Sequence, residues 1–416
     1  MTSKWADDGF LDSLSQTGDR AADAVVAALD LTGSEDATAT FFALMRYNGQ
    51  PIPSDAPPAL REFWAQTAAL PAGVDLDRVA RGERAFMNHI FDFGALMLVR
   101  SLPAGYAAPR LSQVLCISND LGRAPLQRVM AVVQLLMDIG GGKGFREGGK
   151  AVVAAQKMRL LHAGVRHVTR RWLPGFEREL GGVPASIEDM LGTLMGFSYL
   201  VIDGLQQLEG SLSAQEAEDV YYLWQVYAVM AGLHPPIEPG QQPGFDWIPA
   251  DLDEARTFYE AYSRRHYVAA DANPEGVYLA AADLQMMVGL LPWTLRLLGF
   301  GLVPRLLMQD SLGEAAMRRV GLRPLPFNGL LKRIYLDLPL ALDRFWHRTE
   351  AGNAHAHFAE RILGDMVTQE SDGEITFAVP FSRADLEALA KNQARPCLQR
   401  RAQAEAAERP SRPMRS

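Results

Sequence analysis

The sequence contains few cysteines and almost no segment with the alternating pattern of a β-strand. Two of its 416 residues are cysteine, Cys116 and Cys397, and they lie far apart. This usage predicts a protein without a disulfide framework, and the sequence has neither a CxxC metal pair nor a CxxCH motif for covalent haem attachment. Before about residue 370, no stretch alternates apolar and polar residues beyond four or five positions. The sequence therefore predicts an all-α protein.

Several common catalytic motifs are also missing. The sequence has no GxSxG nucleophile elbow and no HExxH zinc motif. The glycine-rich stretch 140–145, GGGKGF, lacks the spacing of a phosphate-binding loop and follows no strand, so we do not interpret it as one. His355 and His357 would diverge by about 200° on a helix, which argues against a shared metal site there.

Charge and hydropathy limit the location and the partners. A net charge of −8 argues against a general nucleic-acid binder, because phosphate binding requires clustered lysine and arginine. The first thirty residues carry six aspartates and no apolar run of signal-peptide length, so we expect no leader and a cytoplasmic protein. The segment Leu284–Val303 has membrane-spanning length. However, Arg296 and Pro292 favour a buried or interfacial helix pair over a span.

Composition divides the chain into four predicted regions. The only strand signal, EITFAVPF, follows the Asp372-Gly373 turn and predicts at most one short hairpin or edge strand near the C-terminus. The last residues are rich in arginine, alanine and proline, which predicts a disordered tail. The regions are an N-terminal helical lead (1–75), a core of long helices (76–310), a C-terminal helical extension (311–395) and the tail (396–416).

Capping signals mark where the helices of the core begin. Asp75 precedes an amphipathic run and predicts the N-cap of one helix that continues to Leu102. A serine followed three positions later by an acidic residue predicts a capping box at two further places. These pairs are Ser186 with Asp189 and Ser213 with Glu216. The helix after Ser186 carries almost no charge as far as residue 208, so we expect it to be central and buried.

The helix 157–172 carries the most informative histidine, His162. In helical projection, His162 separates an apolar stripe from an arginine stripe. The apolar stripe is Met158, Leu161, Val165 and Trp172, and the other is Arg159, Arg166 and Arg170. This arrangement suits a haem, because the iron binds a neutral nitrogen, the ring packs against apolar walls and the propionates attract cations. The alternative is a histidine at the edge of the core on an ordinary amphipathic helix.

The preceding predicted helix, residues 124–139, contains one arginine on an apolar face. Arg128 is the only charged residue of APLQRVMAVVQLLM, and it shares a face with Ala131, Val132 and Leu135. An arginine in this position either has an anionic or polar partner or extends its guanidinium to solvent. The sequence alone leaves both interpretations open.

A set of short boxes in the same order resembles the MpaB/rubber-oxygenase catalytic domain family, which includes latex-clearing proteins. The resemblance extends over about residues 40–310, and the combination of boxes is more specific than any one of them. The boxes are MRYNG (45–49), RG…F (81–86), SLPAGY (101–106), GGGKG (140–144), RLLHAGVR (159–166), GVPASIEDMLGTLMGFS (182–198) and IDGLQQLEG (202–210).

The resemblance implies a b-type haem in a globin-like helical core and the oxidative cleavage of a carbon–carbon double bond by dioxygen. By position in the boxes, His162 would be the proximal iron ligand, and Arg159 and Arg166 would contact the haem propionates or orient the pocket. Arg128 matches the arginine of the family's distal helix. The sequence departs from the latex-clearing members after that arginine, because Ala131 and Val132 stand where they have lysine and threonine.

Our first hypothesis is a haem b-dependent oxygenase whose partners are dioxygen and a small hydrophobic unsaturated substrate. Leu284–Val303 and residues 220–230 are candidate walls of its substrate channel. We expect no nucleic-acid partner and no membrane span, although peripheral contact with a membrane stays open. The alternatives are a non-catalytic haem protein that senses or carries a ligand, and a helical scaffold that has lost its cofactor.

Overall fold

The structure is a computed structural model that describes residues 3–32, 35–118, 125–207, 212–237 and 241–337. All regular elements in these ranges are helical, which confirms the predicted all-α class. The predicted hairpin after Gly373, the disordered tail and most of the C-terminal extension lie outside the described residues.

Twenty α-helices form the described part of the chain, together with short 3₁₀- and π-helical turns. The α-helices are α1 (Asp8–Ser15), α2 (Arg20–Thr32), α3 (Glu35–Leu44), α4 (Pro58–Gln66), α5 (Leu76–Asn88), α6 (Ile90–Leu96), α7 (Leu102–Gly105), α8 (Pro109–Ser118), α9 (Pro125–Gly140), α10 (Ala151–Trp172), α11 (Phe176–Leu180), α12 (Ile187–Phe197), α13 (Tyr199–Gln206), α14 (Ala214–Met230), α15 (Leu252–His266), α16 (Pro274–Leu290), α17 (Trp293–Leu297), α18 (Val303–Leu312), α19 (Glu314–Arg319) and α20 (Asn328–Lys332). The 3₁₀ turns are Lys4–Ala6, Ala270–Ala272 and Phe300–Leu302, and the π-helical turns are Met97–Ser101 and Arg333–Asp337.

The three predicted helix starts are confirmed. The Asp75 carboxylate accepts hydrogen bonds from two first-turn N–H groups of α5. Both predicted capping boxes form at the starts of α12 and α14, where each serine accepts from the backbone three residues on and each acidic side chain accepts from the serine N–H. These contacts satisfy N–H groups that have no partner within the helix.

Two helices predicted as continuous are divided in the structure. The helix that starts after Asp75 ends at Asn88, and the chain continues through α6, the π-helical turn and α7. The helix that follows Ser186 breaks at Ser198, whose φ of −116° and ψ of −83° are not helical. A periodic apolar pattern does not record such breaks, because side chains on both sides of them remain buried.

The core is organised around α14, which packs along α5 and is buried over most of its length. Gly82 of α5 permits this close approach, because a Cβ there would lie 2.3 Å from the Asp219 carbonyl oxygen. Helices α12 and α13 belong to the same apolar cluster, which confirms the predicted burial of the segment after Ser186. Trp5 and Leu11 also lie in this cluster, so N-terminal residues pack directly on the predicted catalytic core. The four predicted regions stay a prediction.

Two smaller apolar clusters flank this core. One joins α2, α3 and α4 to the outer face of α10, and the other joins α8 to α16, α18 and α19. The predicted break within Leu284–Val303 occurs at Pro292, between α16 and α17. Several side chains there are exposed, including Trp293 at 66%, so the interfacial form of the prediction fits better than the buried one. No helix in the described ranges is long and apolar enough to cross a membrane.

Candidate haem-binding site

Helix α10 carries His162 and is buried along two faces. Ala151, Val152 and Ala155 contribute to the central cluster. Leu160 and Ala163 contribute to the cluster formed with α2, α3 and α4. Because the helix is packed on both sides, its position relative to α9 and α14 is fixed by the core.

The N-terminus of α10 is held by Asn48, which comes from a distant part of the chain. The Asn48 Oδ1 accepts hydrogen bonds from the backbone N–H groups of Val152 and Val153, both at 3.2 Å. Its Nδ2 donates to the carbonyl oxygens of Gly144 and Arg146, at 2.7 and 2.9 Å. Asn48 thus caps α10 in place of Lys150, which makes no side-chain cap.

The glycine-rich loop before α10 is held by a carboxylate. The Glu83 side chain accepts hydrogen bonds from the N–H groups of Lys143 and Gly144, at 3.0 and 2.9 Å. Positive φ angles of 92° at Gly142 and 61° at Lys143 turn these two N–H groups towards it. The MRYNG and GGGKG boxes therefore meet as a support for the start of α10, which the sequence alone did not show.

Arg159 and Arg166 are buried and paired with aspartates at the start of α2. The Arg159 Nε and Nη2 donate to the two carboxylate oxygens of Asp19, at 2.6 and 3.0 Å. The Arg166 Nε donates to Asp23 at 2.8 Å, and its Nη1 donates to the Ala185 carbonyl oxygen at 3.0 Å. The buried Arg166 Nη2 has no hydrogen-bond partner among the described residues. Contact of these arginines with a propionate stays a prediction.

The aspartate partners were missed by the sequence reasoning. Asp19 and Asp23 lie four residues apart, as one face of a helix requires, and Arg159 and Arg166 lie seven apart. These two helical spacings were the available signal. It does not identify the pairing by itself, because the partners are 140 and 143 residues apart in the chain.

His162 lies on α10, and its position between the arginine stripe and the apolar stripe follows from the geometry of that helix. Burial, and to a lesser extent the nearby positive charge of Arg166, lower its pKa to about 4, while the charge of Asp19 opposes both effects. The imidazole is therefore neutral at pH 7, the form that binds a metal. Its ring makes no hydrogen bond to any described residue, and it is half-buried between buried neighbours such as Ala163.

Helices α9 and α10 both carry half-buried apolar side chains. Met158 of α10 and Val132 of α9 are half-buried side chains that pack against the central cluster, and Leu161 packs in the same way against the second cluster. Helices α9 and α10 contact each other. A neutral imidazole, apolar walls and the spare Nη2 donor of Arg166 together fit a haem.

The structure describes less of Arg128, the candidate residue on the distal side, than of His162. Arg128 lies in α9, but its side chain is outside the described residues, so its role stays a prediction. Ala131 and Val132 are half-buried on the same helix.

Residues 220–230, a candidate channel wall, are mostly buried in the central cluster. Within the described ranges, no three histidine, cysteine, aspartate or glutamate side chains form a potential metal site.

Comparison with known proteins identifies the family. Residues 87–336 match the family described as ER-bound oxygenase mpaB/B′/rubber oxygenase, catalytic domain. The chain belongs to this family. The match covers more than half of the chain and extends beyond the predicted end of the core at residue 310.

Two relatives show how far the similarity extends. The chain is 28% identical over 239 residues to the rubber oxygenase of Streptomyces sp. (strain K30), which covers 57% of this chain and 56% of that protein. The chain therefore spans about half the length of this curated relative. Its fold is similar to the structure of latex clearing protein LCP in the closed state, with a TM-score of 0.66 and 25% identity. That similarity covers 79% of this chain and 83% of the other.

Proposed function

We propose that the protein is a haem b-dependent oxygenase that cleaves a carbon–carbon double bond in a hydrophobic, isoprenoid-like substrate. The observation that carries the proposal is His162, a half-buried imidazole that is neutral at pH 7 and has no hydrogen-bond partner among the described residues. Family membership supports it, because the similar Streptomyces protein is a rubber oxygenase.

His162 would hold the iron, and Arg166 offers a propionate the hydrogen-bond donor at Nη2 that its aspartate and carbonyl partners leave unused. Haem iron, when bound, supplies the redox chemistry that activates dioxygen. Arg159 is already engaged by both oxygens of Asp19, so its contribution is to fix α2 against α10 and to keep positive charge near the site.

Apolar residues of α9 and α10 would bind the substrate and exclude water. Val132 of α9 and Met158 of α10 present half-buried aliphatic surface, which suits an alkene and offers no hydrogen bond to a polar group. Arg128, which lies one turn before Val132, is the candidate donor on the distal side.

The first experiment is a haem titration of the purified full chain. We expect a Soret band for the wild type, its loss in His162→Ala, and its retention in His167→Ala, a matched change on the same helix. A His162→Ala protein with the wild-type Soret band would contradict the assignment of the iron ligand. Circular dichroism of both variants would show that α10 still folds.

The second experiment tests the reaction. Haem-loaded protein is incubated with an unsaturated isoprenoid under oxygen or under nitrogen, and carbonyl products are identified by mass spectrometry. We expect products only under oxygen. A haem-loaded protein that forms none with a range of isoprenoids would contradict the oxygenase proposal.

One observation favours a second candidate, a non-catalytic haem protein that senses or carries a ligand. Ala131 and Val132 leave this part of the distal helix without polar side chains. Fewer hydrogen-bond donors beside a haem favour ligand binding without activation. Reversible binding of oxygen or carbon monoxide without product formation would support this candidate over the oxygenase.

A further inference from the structure

The described surface has one region where exposed apolar side chains are concentrated. Seven of the twelve large apolar side chains that are exposed lie between residues 290 and 334. Trp293, Leu297 and Phe327 are the extreme cases, at 66%, 77% and 81% exposure. The seven residues, called here the α17–α20 surface, are Leu290, Trp293, Leu297, Leu298, Phe327, Leu330 and Ile334.

The two segments that carry these residues are neighbours in space. The rings of Phe300 and Tyr335 meet edge to face with centroids 5.3 Å apart, which joins the chain after α17 to the chain after α20. Gly299 lies against the Tyr335 hydroxyl so closely that a Cβ could not fit there. Lys332 of α20 also pairs with Asp310 of α18, at 2.7 Å. The exposed residues therefore belong to one region of the surface.

Their spacing places them on helical faces. Phe327, Leu330 and Ile334 are separated by three and four positions, which puts them on one side of α20 and the turn that follows it. Trp293 and Leu297 are related in the same way in α17. Phe327 has a left-handed backbone conformation with φ of 56°, which a bulky residue rarely adopts.

The charge of this segment is opposite in sign to that of the whole protein. Residues 290–335 contain seven lysines and arginines and two acidic residues, whereas the whole chain has a net charge of −8. Both acidic residues are already paired, Asp310 with Lys332 and Glu314 with Arg318. Four exposed arginines make no ion pair with a described residue. These arginines are Arg296, Arg319, Arg323 and Arg333.

We propose that the α17–α20 surface binds the surface of an anionic lipid bilayer. Exposed tryptophan, phenylalanine and leucine side chains enter the interfacial region of a bilayer, and arginines beside them bind anionic headgroups. A neutral apolar partner would leave the excess positive charge unmatched, and a purely anionic soluble partner would leave the apolar side chains exposed to water. The bilayer matches both properties. The binding is peripheral and does not depend on haem.

The test is sedimentation of the full chain with phosphatidylcholine vesicles that contain or lack phosphatidylglycerol. We expect binding to the anionic vesicles, weak binding to the neutral ones, and a decrease with added salt. Trp293→Ser/Phe327→Ser and Arg296→Glu/Arg333→Glu should each weaken binding by about tenfold or more. The matched controls are Phe91→Ser and Arg61→Glu, which change exposed residues elsewhere and should bind within about twofold of the wild type.

Three results would overturn the proposal. One is a wild type that does not bind anionic vesicles, or that binds neutral vesicles equally well. Another is a pair of surface variants that bind like the wild type. The third is an effect of the surface substitutions in the absence of vesicles. If the surface variants lose a dimer that the wild type forms in sedimentation velocity, the surface binds a second copy of the chain. If the variants have a lowered melting temperature and the wild type does not bind vesicles, the surface contacts residues 338–416. The assay measures no turnover, so it is independent of the proposed oxygenase function.

Discussion

Helices α10 and α9 contact each other, but they are held in different ways. Polar contacts with distant segments fix α10 along its length. Asn48 caps its start, Gln156 donates to the Trp64 carbonyl oxygen and to Thr67, and Arg159 pairs with Asp19. On the described half of α9, Gln134 donates within its own helix to Asp138.

The difference indicates a division of roles between the two helices. Each buried polar contact of α10 has a geometric requirement, so few side chains can replace those present. Residues 131–133 of α9 are half-buried apolar side chains, whose packing tolerates exchange of side chains of similar size. We therefore expect substitutions on α9 to cost less stability than those that break the polar contacts of α10.

The largest effect is expected where a buried ion pair of α10 is broken. Arg159→Ala leaves the Asp19 carboxylate, which is 10% exposed, without its partner, and should lower the free energy of unfolding by about 4 kcal/mol. Urea denaturation measures this change. The control is Arg170→Ala, whose ion pair with Glu177 is exposed and should contribute about 0.5 kcal/mol or less. Equal effects would show that α10 does not depend on its buried pairs.

Removal of the cap of α10 should have the next largest effect. Asn48→Ala removes four hydrogen bonds and leaves buried backbone groups unsatisfied, which should cost about 3 kcal/mol of stability.

The matched change on α9, Gln134→Ala, removes one contact between residues four apart in a helix and should cost about 0.5 kcal/mol. Both values come from denaturation of the purified proteins. A larger loss of unfolding free energy in Gln134→Ala than in Asn48→Ala would show that polar contacts contribute more to the stability of α9 than to that of α10.

A polar group on α9 should change the site with little change in stability. Val132→Thr adds a hydroxyl at a half-buried position and should cost about 1 kcal/mol. If α9 lines the distal side of a haem, the visible absorption spectrum of the haem-loaded protein should shift. Val152→Thr, a control at a buried position near the start of α10, should leave that spectrum unchanged. An identical spectrum in Val132→Thr and the wild type would place Val132 away from the cofactor.

The smallest effect concerns the pH dependence of stability. Burial acts to raise the pKa of Asp19, but the charge and hydrogen bonds of Arg159 outweigh it and hold this pKa below its ordinary value of 3.8. A lowered carboxyl pKa contributes stability that is present above the unfolded-state pKa and is lost as the pH falls through the folded-state pKa. Below about pH 4, the unfolding free energy of Asp19→Asn should therefore fall less steeply than that of the wild type. If the unfolding free energies of Asp19→Asn and the wild type fell equally steeply with pH, the contribution of Asp19 to stability would be contradicted.

Local features of the fold could be predicted because their causes are local. The caps at Asp75, Ser186 and Ser213 each depend on residues within three positions, and all three form as predicted. The breaks at His89 and Ser198 could not be predicted, because neither residue is a helix breaker and the apolar pattern continues through them. Asp203 lies in the otherwise apolar helix α13, and its charge is paired with that of Arg100.

The sequence by itself determined the helical class, the family resemblance and the position of His162 between an apolar and an arginine stripe, because each depends on order and spacing along one segment. Only the tertiary structure decided what those arginines bind, what holds the start of α10, and that apolar residues from 290 to 334 remain exposed. These features depend on which distant segments meet. In the folded core, α10 and the loop before it are contacted by Asp19, Asn48 and Glu83. These residues are distant in sequence, so no local pattern predicts the contacts.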